Sequence, residues 1–263
     1  MNGIPETTVN PGFVTLYAVK AALARFMLYT ERWTEAEQYA SDVIASGEYE
    51  LEADFLDIVY TDFTDEAILE VGYTVNDDPG TSITGLNNLF RGRREIIPSN
   101  EAIFALSSGA SGDRFAVLSF DFDDLDGTDN GWSVAKYGTA DEDNNNIIIF
   151  RLAEMYLIRA EARVALDNLA GAEEDINVLR ERANAPTVTL TSKSQMESVV
   201  EWERYYELAY EGHRWYDLVR TGRIHDVMTA YSSNWKDTYN LWPVPQREIL
   251  NNPSLAGNQN PGY

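Results

Sequence analysis

The chain has 263 residues, 44% of them hydrophobic and 12% aromatic, with 20 Lys and Arg against 43 Asp and Glu for a formal net charge of −23. That is enough apolar material for one large domain or two small ones and too much for a disordered chain. The carboxylate excess excludes nucleic acid or an anionic membrane surface held by bulk charge, and it suits a neutral ligand.

There is no cysteine, which excludes structural disulfides, thiolate metal sites and thiol catalysis. The first ten residues, MNGIPETTVN, carry neither the basic nor the apolar region of a secretion signal. No run reaches the roughly 18 apolar residues of a membrane span.

In chain order, Leu16, Val19, Leu23 and Phe26 recur at helical spacing, with Ala18, Ala21, Ala22 and Ala24 small enough for close packing. A second helix follows Trp33, with Ala36, Ala40, Val43 and Ile44 inward, Thr34 and Glu37 as a capping box, and Gly47 as its stop. Residues 67–73 read as a short strand. Residues 76–146 are rich in Gly, Asp, Asn and Ser, too long for an ordinary loop and a place to expect functional surface. Two further helical stripes follow: Ala153, Leu157, Ala160 and Val164, then Ala172, Ile176, Leu179 and Ala183, broken at Asp167-Asn168. A long helix is predicted from Gln195 to Val219, with Val199, Trp202, Tyr206 and Ala209 in phase, and beyond Tyr231 an extended tail. The small pairs Ala22/Ala36 and Ala160/Ala172 resemble tetratricopeptide (TPR) hairpins, without their constant repeat.

The chemistry-bearing motifs mostly have a bland reading beside the sharp one. Glu203, Glu207 and Glu211 share a helix face with Arg204. Paired carboxylates can serve a hydrolase, but guanidinium–carboxylate ties between helices explain them as well, and that structural reading is preferred. The two histidines, His213 and His225, form no metal or triad spacing, and no Walker A, G-x-S-x-G or G-x-G-x-x-G run is present. In the acidic stretch after Asp121, the residues Asp126, Thr128, Asn130 and Gly131 match the first, third, fifth and sixth places of a calcium loop, but the twelfth is Tyr137 instead of a bidentate Glu. A solvated acidic turn is the alternative.

Loop aromatics are the ligand candidates, because rings stack on apolar sugar faces while polar neighbours bond hydroxyls. Trp132 is the first choice, then Phe90 with Arg91, and Tyr137 and Tyr73. For each the alternative is a ring that plugs its loop onto the core.

Three stretches carry a family resemblance. RLAEMYLIRAEA (Arg151 to Ala162) supplies Arg151, Glu154, Tyr156, Leu157, Ala160, Glu161 and Ala162; Glu203 to Arg223 supplies the Glu-Gly-x-Arg run with Asp217, Leu218 and Arg220; and the chain closes on Gln-Asn-Pro-Gly-Tyr, Gln259 to Tyr263. In this order they resemble the SusD/RagB family of outer-membrane nutrient-binding proteins of Bacteroidetes. Gly112-Asp113-Arg114 and Ala135-Lys136-Tyr137 are similar to its Asp-Arg and Lys-Tyr elements.

The resemblance implies a mainly α fold, a SusD-like alpha-alpha superhelix of TPR-like helical hairpins with a long irregular loop-rich insertion and short strands. A single domain over 1–263 is expected: hairpin 11–50, loop-rich ligand surface 51–146, helical core 147–230 and tail 231–263. It also implies a non-catalytic protein without cofactor, capturing oligosaccharide or polysaccharide for a SusC-like TonB-dependent transporter. Such proteins are surface lipoproteins of the outer membrane. Their usual signal, acylated cysteine and long helical first half have no counterpart here, so the chain is similar to the later portion of such a protein or to a short homologue. A TPR-like interaction scaffold, a peptide-binding homologue and a glycoside hydrolase stay open as alternatives.

Overall fold

The computed structural model describes residues 4–6, 11–73, 85–137, 146–189 and 192–263. They form two compact units, Met1–Glu211 and Gly212–Tyr263.

The first unit is built on helices α1 (Leu16–Tyr29), α2 (Trp33–Ile44), α5 (Leu152–Ala165), α6 (Leu169–Arg182) and α7 (Lys193–Glu207). Between α2 and α5 lie the short helices α3 (Phe55–Tyr60) and α4 (Asn100–Leu106) and four strands. Strand β1 (Ala67–Val71) pairs antiparallel with β4 (Ile147–Arg151), and β2 (Leu118–Phe120) with β3 (Trp132–Val134). Among the described residues no helix is long and apolar enough to cross a membrane.

Alanine sets the spacing of the first hairpin. Ala18, Ala21 and Ala24 of α1 and Ala36 and Ala40 of α2 are buried, and they pack with Met155, Ile158 and Ala162 of α5. The larger stripe expected to face inward does not: Phe26 is exposed, and Leu16, Val19 and Leu23 are only half-buried. Small side chains let the helix axes approach, so the face with least apolar bulk is the best covered. Ala22 is exposed and does not pair with Ala36. Helix α2 starts one residue earlier than its expected cap: Arg32 is the N-cap with no side-chain bond, and Glu37 reaches Arg163 on α5 at 3.1 Å. Gly47 does end this segment, at φ +70°.

The later stripes face inward as predicted. Ala153, Leu157, Ala160 and Val164 of α5 meet Ala172, Ile176 and Leu179 of α6 and Met196 and Val200 of α7. Asp167 at φ +62° and Asn168, whose side chain caps Gly171 N–H, make the break. Charged ties reinforce the apolar contacts: Arg159 and Arg163 both bind the buried Asp175, and Arg25 binds Glu154 through two nitrogens at 2.6 and 2.7 Å.

Helix α7 departs from expectation at both its face and its end. Trp202 is exposed, whereas Glu203, Arg204 and Glu207 are buried. A search for apolar period misses a face whose inward residues are charged. The helix stops at Glu207, followed by Tyr210 at φ +64°, and so does not reach Val219.

In the second unit, α8 (Arg214–Arg220) and α9 (Ile224–Tyr231) precede a tail that is only partly extended. It includes α10 (Gln246–Asn251) and two 3-10 turns. Rings stack edge-on from Trp215 to Trp235 to Tyr239. Gln259 bonds both N–H and C=O of Val244, so the terminal motif holds the Trp-Pro-Val-Pro segment.

Candidate ligand-binding site

Two constellations of polar and aromatic residues stand out in the first unit, and they differ in access. The inner one is a buried ion network. Arg114, in the 3-10 turn Gly112–Val117, binds Glu203 at 2.5 Å and Glu207 at 2.6 Å. Arg151 binds Glu66 at 2.7 Å, Glu207 at 2.6 Å and Glu211 at 2.8 Å. Arg182 joins Glu66 and Glu207, Arg180 joins Glu203, and Lys136 joins Glu211.

Burial pushes the Glu207 carboxyl up, but the guanidiniums of Arg182, Arg114 and Arg151 more than reverse this and hold it well below the usual range. Glu203, by contrast, is pushed up by burial. Each of these carboxylates is committed to arginine or lysine. The arrangement ties α6 and α7 to the end of β4 and to the Arg114 turn.

The outer constellation is the β2–β3 hairpin. Its register places Phe120 opposite Trp132, an aromatic cross-strand pair. The ring centroids are 5.2 Å apart. Phe115 also lies against Trp132, with ring centroids 5.5 Å apart, and Phe122 meets Phe120 edge-on at 4.8 Å. The row thus runs Phe115, Trp132, Phe120, Phe122, from half-buried to 79% exposed at Phe122. An exposed phenylalanine at the end of a supported row is an apolar surface without an internal use.

Arg94 fixes this hairpin. Its guanidinium makes two bonds to Asp129 at 2.9 and 2.6 Å, pairs with Asp124 at 2.9 Å and donates to the carbonyl of Trp132 at 3.0 Å. The Arg94 bond holds the Asp129 carboxyl below its ordinary range. Arg94→Ala is expected to speed amide exchange across residues 121–131 while exchange in α5 stays as it was; uniform protection in both would remove Arg94 as the clamp.

The other expected site residues are distributed differently. Phe90 is 8% exposed, stacks on Tyr137 at 5.1 Å and meets Tyr210 at 6.0 Å. The Tyr137 hydroxyl donates to the Tyr210 carbonyl at 2.8 Å, and burial pushes its pKa up. Both rings are therefore used for packing, and Arg91 lies half-buried beside them. Tyr73 is half-buried at the end of β1, its N–H donated to Asn146, with no ring contact among the described residues.

In the acidic loop, Asp126 and Thr128 are exposed, and the Asn130 side chain is occupied by the Pro98 carbonyl and the Trp132 N–H. Among the described residues no group of three or more His, Cys, Asp or Glu is arranged to hold a metal ion. The loop is organised around Arg94, a cation of the chain's own. Phe120 and Phe122 were not among the expected residues; the alternation Leu118, Phe120, Phe122 with Ser119, Asp121, Asp123 is the period-2 signal that marks them.

The first unit joins helical hairpins to an aromatic surface hairpin. The SusD family model matches residues 127–263, half of the chain, and the chain belongs to that family. It is 34% identical over 178 residues to the starch-binding protein SusD of Bacteroides thetaiotaomicron, covering 60% of this chain and 30% of that protein. It is 36% identical over 125 residues to a SusD-like protein of Formosa agariphila, covering 44% and 25%. The matched stretches thus span under a third of these relatives. The fold is similar to that of surface glycan-binding protein A from Bacteroides thetaiotaomicron in complex with laminarihexaose, with a TM-score of 0.75 at 23% identity, covering 98% of this chain and 67% of the other.

Proposed function

We propose that the chain captures oligosaccharides without cleaving them, on the outer face of the outer membrane, for delivery to a SusC-like TonB-dependent transporter. The observation that carries the reading is the exposed aromatic row ending at Phe120 and Phe122, supported from beneath by Trp132 and Arg94. Flat rings on a rigid hairpin bind the apolar faces of sugar rings through many modest contacts. A starch-binding relative and a laminarihexaose-bound structural neighbour support a carbohydrate as the occupant. The buried carboxylates are matched to arginine and lysine, and the reading calls for no cofactor.

Native affinity electrophoresis against plant, host and microbial polysaccharides tests it. At least one neutral polysaccharide is expected to retard the protein. Phe122→Ala and Trp132→Ala should each weaken that interaction by about 2 kcal/mol, the cost of truncating an aromatic anchor, or roughly thirtyfold in Kd. Phe122 is the cleaner of the two because its ring is mostly exposed, so its loss leaves the fold intact. Retardation by no member of the panel would sink the proposal.

A further inference from the structure

The segment that carries the end of the aromatic row is rich in carboxylates. The segment joining β2 to β3 carries Asp121, Asp123, Asp124, Asp126 and Asp129. Asp124 and Asp129 are matched by Arg94. Asp121 and Asp123 are exposed and flank Phe122 in sequence; Asp121 lies within the field of Arg94 but forms no ion pair among the described residues, nor do Asp123 and Asp126, both exposed.

The neighbouring basic stretch does not offset them. Arg94 is bound beneath the hairpin, Arg93 is paired with Glu95, and Arg91 is half-buried. The chain as a whole carries −23, so the long-range field has the same sign as the local one.

We infer that this hairpin selects uncharged glycans and rejects acidic ones, such as polyuronates and sulfated chains. The inference rests on the glycan reading of the same aromatic row. A neutral sugar stacked on Phe122 and Phe120 meets rings for its C–H face and brings no charge into the field around them. A uronate at that place enters the negative field of the aspartates on the same exposed segment, where Arg94 and Arg93 are already paired. The repulsion acts over about a Debye length, ~8 Å at physiological salt and longer at low salt. It therefore governs discrimination most strongly in dilute buffer. Selection comes from the repulsive element as much as from the attractive one.

The test compares chemically matched polymers on the intact chain: hydroxyethyl cellulose against carboxymethyl cellulose, and soluble starch and laminarin each against its carboxymethyl derivative. At about 20 mM salt, where screening extends to ~20 Å, the parent polymer that retards the protein is expected to bind at least tenfold more tightly than its carboxymethyl form, and the gap should narrow at ~0.5 M salt. Asp121→Asn with Asp123→Asn keeps the side-chain shape and removes two charges. It is expected to recover most of the lost affinity for the carboxymethyl polymer while the parent is retarded as before. Equal binding of parent and carboxymethyl polymer at low salt overturns the inference and leaves the glycan site standing, as does unchanged discrimination in the double variant. Binding of no polymer, or binding indifferent to Phe122→Ala, overturns the site reading and the charge selection with it.

Discussion

Glu207→Ala is expected to destabilise the first unit by about 3–5 kcal/mol, the range for breaking a buried ion pair from one side, and to lower its Tm by roughly 10 °C. The carboxylate is fully buried and takes bonds from three guanidiniums, those of Arg114, Arg151 and Arg182. Deleting it leaves those cations crowded together in an interior from which water is excluded. Glu66, Glu203 and Glu211 remain, but Glu203 is shared with Arg180 and Glu211 with Lys136, so three carboxylates then face five cations. Glu207→Gln separates charge from shape. If the glutamine variant is as stable as the parent, packing rather than charge holds this junction and the electrostatic account fails.

The pH dependence follows from the same group. The folded Glu207 pKa lies well below its ordinary value of 4.5, so folding is favoured wherever the carboxylate is ionised in both states. That contribution is complete above about pH 4.5, the unfolded value, and is lost as pH falls towards the folded one. Glu203, raised by burial, acts in the opposite sense, gaining its proton more readily when folded. The Glu207 term is the one that Glu207→Gln deletes. Denaturation midpoints from pH 7 down to 3 are therefore expected to fall less steeply in the Gln variant than in the parent.

The helical hairpin α5–α6 was legible because its inward residues are apolar at helical spacing, Ala153 to Val164 and Ala172 to Leu179. Where the inward face is charged, periodicity said nothing. Glu203 and Glu207 are as buried as any leucine, and the partners that make this tolerable come from residues 66, 114, 151, 180 and 182. Neither their pairing nor their burial follows from local spacing. Arg114, Lys136, Arg151 and Glu207 had been singled out in separate motifs, and the fold brings them to one network. Trp132 was expected as a loop tryptophan among polar residues, whereas the structure places it in strand β3. Its supports were not legible, because Arg94 lies 38 positions away and Phe120 faces it only once the hairpin register is fixed. Phe90 and Tyr137 satisfied the same sequence criteria as Trp132, yet they stack on each other inside the unit. An aromatic residue in a loop does not by itself reveal which side of the loop it occupies.

The turn that delivers Arg114 into the network leads to the second large effect. Gly112→Ala is expected to cost about 3 kcal/mol or more, in the range of a backbone clash added to a left-handed strain. Gly112 sits at φ +60°, and a Cβ built there would lie 2.0 Å from the carbonyl oxygen of Ala183 and 3.0 Å from the N–H nitrogen of Ala185. Both are backbone atoms, which cannot rotate aside as a side chain can. The same carbonyl accepts the Asp113 N–H at 2.8 Å, so pushing it away also breaks the bond that docks this turn on the end of α6. Arg114 follows two residues later and reaches Glu203 and Glu207 only if the turn stays in place. Gly47→Ala supplies the comparison. It has a similar φ of +70° with nothing within 4 Å of the added atom, so it carries the left-handed cost alone, ~1–2 kcal/mol. Urea denaturation of both variants separates the two terms. If Gly112→Ala loses no more stability than Gly47→Ala, the close approach at Ala183 is not what requires glycine at this position, and the turn does not set the placement of Arg114.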